Sequence, residues 1–348
     1  MDNKDDDRPD GSTAGLAGRV DAAPGRRGFT TRPLRVQALV AVTGVVAVTA
    51  GAGFFLADNL TNLSGPDVVC DGAVSADEVN DALGWGKVSA TMYGDGKLDT
   101  PGASCAAMVS NGIFGNDRFA VIELPKAGDL ARFKYDAESQ LFAASANGGA
   151  AGAVHKSSYG FALLPKDCAN GQRATVKSRS SDARKLAGLA TAVANRVAAQ
   201  QGCGGAPLPA PRELTPAGAD RPLNRDAVCG LPGLTMPDTP GGPVYQETVT
   251  NATDPLWACR IHSDADLRSA ITFSIGTDPR LVQPWTLDPG PAFGRTHWVG
   301  QHEVMATCQG RPTRFRFEVD GFRDLIGKTT WEQFLTAGGK AIGCEPIL

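Results

Sequence analysis

The residues of this 348-residue chain whose chemistry is easiest to place are its eight cysteines: Cys70, Cys105, Cys168, Cys203, Cys229, Cys259, Cys308 and Cys344. The count is even and no Cys-x-x-Cys pair occurs, so neither a zinc ribbon nor a thioredoxin-like redox centre is indicated. The chemistry that fits is oxidation in pairs to four structural disulfides in an oxidising compartment. Successive spacings are 35, 63 and 35 residues in the first four cysteines and 30, 49 and 36 in the last four. Both sets run short, long, short. Four cysteines allow three pairings per set. The regular spacing favours Cys70–Cys105, Cys168–Cys203, Cys229–Cys259 and Cys308–Cys344. Closing loops of this length stabilises a fold by up to roughly 3.7 kcal/mol per bridge.

Catalytic chemistry is harder to find. There is no G-x-S-x-G, and Ser110-Asn111-Gly112 lacks the first glycine of that motif. There is no H-E-x-x-H, phosphate loop or calcium loop. The four histidines are His155, His262, His297 and His302. The last two are five apart, on opposite faces of a strand and poorly aligned on a helix, so they make no metal pair. No catalytic, cofactor or metal residue is assigned on this basis. A hydrolase built from scattered polar groups stays open as the alternative, because triads and carboxylate pairs converge only in space. Trp285, Phe293 and Trp298 fall in a Pro- and Gly-rich stretch. They form a candidate ligand platform, able to stack on a sugar ring or anchor a partner. The competing reading is core filling beneath a loop.

These groups must be positioned by something, and the organising element is Ala38 to Ala57, ALVAVTGVVAVTAGAGFFLA. It carries no charge, amide side chain or proline. As a helix it would cover roughly 30 Å, the thickness of a bilayer's hydrocarbon core. Nine Leu, Val and Phe residues favour insertion by about 4 kcal/mol. A cleaved leader is the rival, with Ala50-Gly51-Ala52 as its cleavage match and Arg26-Arg27 as a faint twin-arginine signal. The apolar run is longer than an ordinary leader's. Arg19, Arg26, Arg27, Arg32 and Arg35 precede it, whereas the first basic residue after it is Lys87. That asymmetry places the N-terminus in the cytoplasm and the rest outside. Ala47 and Gly51 form a small-xxx-small pair. The net charge of −3 and the outside location argue against a nucleic-acid partner.

The chain divides into residues 1–35, a disordered cytoplasmic tail; 36–57, the transmembrane helix; 58–66, a stalk; 67–204, a first ectodomain copy; 205–225, a proline-rich linker; and 226–348, a second copy. A tandem duplication is read from the cysteine spacing and from matching text. Phe119 to Leu124 follows Cys105, Ala270 to Ile275 follows Cys259, and Gly202 and Gly343 precede Cys203 and Cys344.

Local signals fill in each copy. Ser75-Ala-Asp-Glu78 is a capping box for a helix ending at Gly84, and Asp95-Gly96 is a tight turn. Residues Arg118 to Leu124, Phe161 to Leu164 and Arg173 to Val176 read as strands. Ala127 to Ala146 reads as a helix. Asp182 to Gln201 is the clearest helix, with Leu186, Leu189, Val193 and Val197 on one stripe and Ser181 as its cap. In the second copy Trp257 to Ile261, Ala270 to Ile275, Glu303 to Cys308 and Phe315 to Val319 read as strands. Thr330-Trp-Glu-Gln333 reads as a capping box opening a last helix. The expected fold is α+β: two tandem disulfide-stapled domains, each an antiparallel sheet with helices on one face, after a single N-terminal transmembrane helix.

The Cys70 start, the Glu78 to Gly84 ending E-V-x-x-A-L-G, the Cys105 strand and the helix at Asp182 to Gln201 together resemble uncharacterised actinobacterial extracytoplasmic domains of lipoproteins and single-pass proteins. The chain departs from them in lacking a lipidated cysteine. The resemblance implies a cell-surface location and no defined activity. The expected function is non-catalytic: a membrane protein contacting the lipid bilayer through Ala38 to Ala57, whose outer domains bind an envelope ligand or partner protein. A structural subunit of a membrane complex is a further alternative.

Overall fold

The structure, a computed structural model, describes residues 32–348 apart from 95–96, 99, 101, 113–114, 116, 126–134, 144–149, 166–167, 169–172, 179–181, 204–205, 239–241, 251–255, 279–291, 294–295, 301, 323–325 and 345–346. The chain divides into two compact units, Met1–Asp58 and Asn59–Leu348.

The described part of the first unit is helix α1, Arg32–Leu60, whose last two residues belong to the second unit. It begins earlier and ends later than the apolar run, taking in the first residues of the expected stalk. At about 1.5 Å per residue its length exceeds a hydrocarbon core. Its apolar window Leu39–Asp58 is unburied, and large side chains such as Val48 and Phe54 are exposed. A helix apolar on all sides whose large side chains stand exposed is suited to lipid, not to a water-facing surface. Among the described residues it is the one helix long and apolar enough to cross a membrane.

The second unit holds everything else. A short ribbon, β1 (Val68–Val69) and β2 (Val74–Ser75), leads into α2 (Ala76–Leu83). The capping box expected at Ser75 is present: Ser75 Oγ accepts from the Glu78 N–H at 3.2 Å, and Glu78 Oε2 accepts from the Ser75 N–H at 2.7 Å. Then follow β3 (Lys87–Tyr93), β4 (Ser104–Ser110), β5 (Arg118–Glu123), β6 (Ser139–Ala143), β7 (Ala150–His155), β8 (Tyr159–Leu163), β9 (Arg173–Ser178) and α3 (Ala183–Gln200). The second half comprises β10 (Asp220–Pro222), β11 (Tyr245–Val249), β12 (Leu256–Ser263), β13 (Asp266–Gly276), β14 (Ala292–Phe293), β15 (Thr296–Gly300), β16 (Glu303–Cys308), β17 (Arg311–Asp320) and α4 (Lys328–Ala341).

Both sheets are antiparallel throughout. The first runs β3-β4-β5-β9-β8-β7-β6 and the second β10-β11-β12-β13-β17-β16-β15-β14. Counted from β3 and from β11, the orders coincide strand for strand. The disulfides are the four that the spacing favours: Cys70–Cys105, Cys168–Cys203, Cys229–Cys259 and Cys308–Cys344.

One face of each sheet is covered by helix. Leu186, Leu189, Val193 and Val197 of α3 pack on Val109, Ile122, Val154 and Val176. Phe334 and Leu335 of α4 pack on Phe273, Ile275 and Phe315. The opposite faces meet in a third core, where Leu141, Ala153, Phe161 and Leu163 of the first sheet pack with Leu256, Ala258 and Met305 of the second. The layers are therefore helix, sheet, sheet, helix. Strands β8 and β12 are buried on both faces.

The helix expected over Ala127 to Ala146 is not formed where it can be followed. Ser139–Ala143 is β6, and residues 127–134 and 144–146 lie outside the described residues. Leu141 serves the inter-sheet core and Phe142 the helix-side core. Adjacent apolar residues on a two-faced strand had mimicked a helical stripe. Two caps also move. Ser181 lies outside the described residues, and Asp182 caps α3, its Oδ1 accepting from the N–H of Arg184 at 2.9 Å. The last helix starts at Lys328, and the Gly327 N–H donates to Thr330 Oγ1 at 3.1 Å. The turn at Asp95-Gly96 lies outside the described residues.

The proline-rich stretch is extended and strapped down. Leu208 N–H donates to Asn195 Oδ1 at 2.7 Å, Thr215 N–H to the Leu141 carbonyl at 2.8 Å and Gly218 N–H to the Ala137 carbonyl at 3.0 Å. Its end then pairs as β10 along β11.

Candidate functional site

Strand β9 reads R-A-T-V-K-S, and its period of two sends Ala174 and Val176 to the helix-side core. Arg173, Thr175 and Lys177 therefore share the opposite face. There they line a pocket of about 300 Å³ with Tyr159 of β8 and Ser104 and Glu123 at the adjoining ends of β4 and β5. Arg173 is 3% exposed. Glu123 Oε2 accepts from Lys177 Nζ at 2.7 Å, and Thr175 Oγ1 donates to the Glu123 carbonyl at 3.2 Å. Burial raises the Tyr159 phenol above its ordinary pKa, while the nearby charges of Arg173 and Lys177 and a hydrogen bond to Arg173 act the other way.

The second sheet adds charge to this neighbourhood. Burial holds the Arg314 guanidinium well below its ordinary pKa, and the positive charges of Arg316 and Arg173 add to the effect while Glu318 opposes it. Arg314 pairs with Glu303, and Arg316 with Glu318. The group thus contains four cations, Arg173, Lys177, Arg314 and Arg316, and three carboxylates, Glu123, Glu303 and Glu318. Clustered cations in a partly dry setting repel strongly and reward an added anion.

A second polar group lies along the seam. Tyr135 donates its hydroxyl proton to the Leu256 carbonyl at 3.2 Å, joining the two sheets. Next to it, Asp136 Oδ1 meets His155 Nδ1 at 2.9 Å, the Glu138 N–H at 3.0 Å and the Ser139 hydroxyl at 3.2 Å. Burial pushes the Asp136 carboxyl up, but the His155 bond and charge, the Glu138 N–H and Arg260 together outweigh it and hold the pKa below the usual 3.8. Glu138 Oε2 contacts Lys156 Nζ at 2.6 Å and Arg260 Nη1 at 3.1 Å.

Asp136, Glu138 and His155 bring ligand-type atoms within 4.8 Å of one another. Two cations already share the Glu138 carboxylate and would repel a metal ion there. Cys229, Glu247 and Cys259 also cluster, but their sulfurs are bonded to each other. Glu247 is satisfied by Arg221 Nε at 2.8 Å and the Cys229 N–H at 2.7 Å. The Asp136–His155 pair looks like half of a triad. The Ser139 hydroxyl donates to Asp136, not to the imidazole, so no nucleophile–base contact is made there.

The residues singled out from the sequence are not brought together. Trp285 lies outside the described residues. Phe293 sits on β14, paired with Thr296. Trp298 is half-buried, its ring 5.7 Å from Trp331, which in turn neighbours Phe317 and Phe334. Trp298 thus packs at the edge of the second core. His262 is buried with Nε2 3.8 Å from Asp220, and His302 is edge-on to Phe317. The missed residues are Tyr159, Arg173, Thr175 and Lys177. The alternation of β9 carried a signal for three of them: its apolar residues declare one face, leaving two basic residues flanking a threonine on the other. Comparison of the chain with protein-family models, curated proteins and solved structures finds no match.

Proposed function

We propose that this chain is a single-pass membrane protein whose outer body binds an anionic envelope ligand in the Arg173 pocket, without catalysis. The N-terminus is cytoplasmic and the body from Asn59 onward is extracytoplasmic. Arginines concentrated before the apolar run Ala38 to Ala57 support the orientation, and eight cysteines joined in four bridges support an oxidising exterior. The matching strand orders and matching disulfide positions support descent of the two sheets from a tandem duplication. The hydrolase alternative gains no support from the Asp136–His155 pair, which lacks a contacting nucleophile.

The observation that carries the binding reading is Arg173 itself, a buried guanidinium lining a pocket beside Lys177 and Tyr159. Guanidinium presents a planar fork to carboxylate or phosphate oxygens, and a lysine and a phenol can complete the coordination. The test is thermal melting of the full-length chain in detergent, titrated with inorganic phosphate and with acetate at constant ionic strength. The expected result is a saturable rise in melting temperature for either anion, lost in Lys177→Ala and reduced in Arg173→Lys. A response to both anions identical in wild type and variants would overturn the assignment.

A further inference from the structure

We infer that the outer edge of β3 is a strand-pairing surface for a second copy of this chain. The inference stands apart from the anion pocket and from the direction of membrane insertion.

Sheet edges expose unused backbone donors and acceptors, and proteins normally cover or blunt them. This chain covers two of its edges with its own strap. Thr215 hydrogen-bonds to Leu141 of β6 and Gly218 to Ala137, two residues before that strand, and Asp220–Pro222 pair as β10 with β11. In the second sheet β11 holds the position that β3 holds in the first. The other edge strand, β14, is two residues long. Among the described residues no strand pairs with the outer edge of β3; Asn62 Oδ1 accepts there from the Val88 N–H at 2.8 Å, and Lys87 Nζ donates to Ser64 Oγ nearby at 3.0 Å.

The edge carries few of the usual deterrents. K-V-S-A-T-M-Y has no proline, no acid and one charge, Lys87 at its first position. Ser89, Ala90, Thr91 and Tyr93 are exposed. The adjoining open face of the sheet adds Met108 and Phe119, directly cross-strand and 38% and 44% exposed. Exposed apolar area beside an open strand marks an interaction surface.

The sequence of β3 is complementary to itself. The Val88 N–H points outward to Asn62, so strand alternation sends the N–H and C=O of Ala90 and Met92 outward as well. A twofold antiparallel pair centred on Ala90 lets the two Ala90 residues exchange both backbone bonds. Each Met92 N–H then reaches the Val88 carbonyl of the other copy, and each Val88 N–H exchanges Asn62 for the opposing Met92 carbonyl. Ser89 faces Thr91 and Lys87 faces Tyr93 across the pair. Hydroxyl pairs and cation–aromatic pairs are favourable cross-strand neighbours, and no like charges meet. A twofold contact is isologous and closes at the dimer, so the edge is consumed and not propagated.

The test is sedimentation of the full-length chain in detergent micelles across a dilution series. Wild type is expected to dimerise. Ala90→Lys, which sets two like charges opposite each other, and Ala90→Pro, which removes the outward N–H, are both expected to be monomeric with melting temperatures close to wild type. Ala90→Cys is expected to form a covalent dimer on mild oxidation. Ala47→Leu with Gly51→Leu in α1 is expected to leave the dimer intact, which separates strand pairing from association through the span. A wild-type chain monomeric at every concentration would overturn the inference. So would a dimer that survives both Ala90→Lys and Ala90→Pro, or one lost only on changing Ala47 and Gly51.

Discussion

Arg173 and Arg314 stand on the last strand of each sheet, β9 and β17, and the charge of the first weakens the hold of the second on its proton. Their surroundings differ. Arg314 is buried and paired with the equally buried Glu303, whereas Arg173 lines a pocket with Tyr159 and Lys177. Arg314→Met should therefore strand Glu303 without its partner and cost about 3–5 kcal/mol, with Glu303→Met added to it restoring most of the loss. Arg173→Met removes a charge that repels Arg314 and the hydrogen bond to Tyr159. These offset, so its cost should be about 1 kcal/mol or less. Urea denaturation of the single and double variants measures the contrast. Equal losses for Arg173→Met and Arg314→Met would make Arg173 a structural cation and remove the basis of the pocket reading.

The Asp136 carboxyl predicts an acid limb in the stability curve. Its native pKa lies below the usual 3.8 because His155, the Glu138 N–H and Arg260 favour the charged form over the opposition of burial. A depressed native value means that the unfolded chain takes up the proton first. The stabilisation is thus fully present above about pH 4 and is lost as pH falls through the native value. Asp136→Asn should lose about 1.5–3 kcal/mol at pH 7, the range for hydrogen bonds to a charged acceptor. The gap between wild type and variant should narrow steadily below pH 4. Melting curves from pH 7 to pH 3 check this, and a gap independent of pH would show that the carboxylate's charge contributes nothing.

What the sequence showed and hid follows from how far apart the interacting residues lie. The capped helix at Ser75, the stripe on α3 and the four bridges are local or periodic signals, and they were legible. The strands β8 and β12, buried on both faces, were legible too, β8 as a nearly continuous apolar run and β12 as an apolar run broken by Arg260 and His262. Burial on both faces also turned Leu141 and Phe142 into an apparent helix. The seam was hidden for another reason. Tyr135 reaches Leu256 across 121 positions, and Arg173 feels Arg314 across a comparable gap. Neither relation leaves a period or a motif. In the sequence Trp298 reads as an aromatic in a Pro- and Gly-rich stretch, and the structure places it on β15 beside Trp331.

The bridges and the arginine-flanked span together make a prediction about sidedness. If α1 crosses the bilayer with its N-terminus inside, the eight sulfurs form outside the cytoplasm and remain bonded there. In intact cells expressing the full chain, a membrane-impermeant maleimide should label none of the eight cysteines until an impermeant phosphine has reduced them. A cysteine placed at Ser12 should be labelled only after permeabilisation. Removing one bridge, Cys168→Ser with Cys203→Ser, opens a loop whose ends are 35 residues apart. It should cost about 3–4 kcal/mol in urea denaturation without changing the pattern of labelling. Labelling of Ser12→Cys on intact cells would reverse the orientation. Free thiols on the native chain would mean that the pairs do not form in its compartment, and the extracytoplasmic assignment would fall with them.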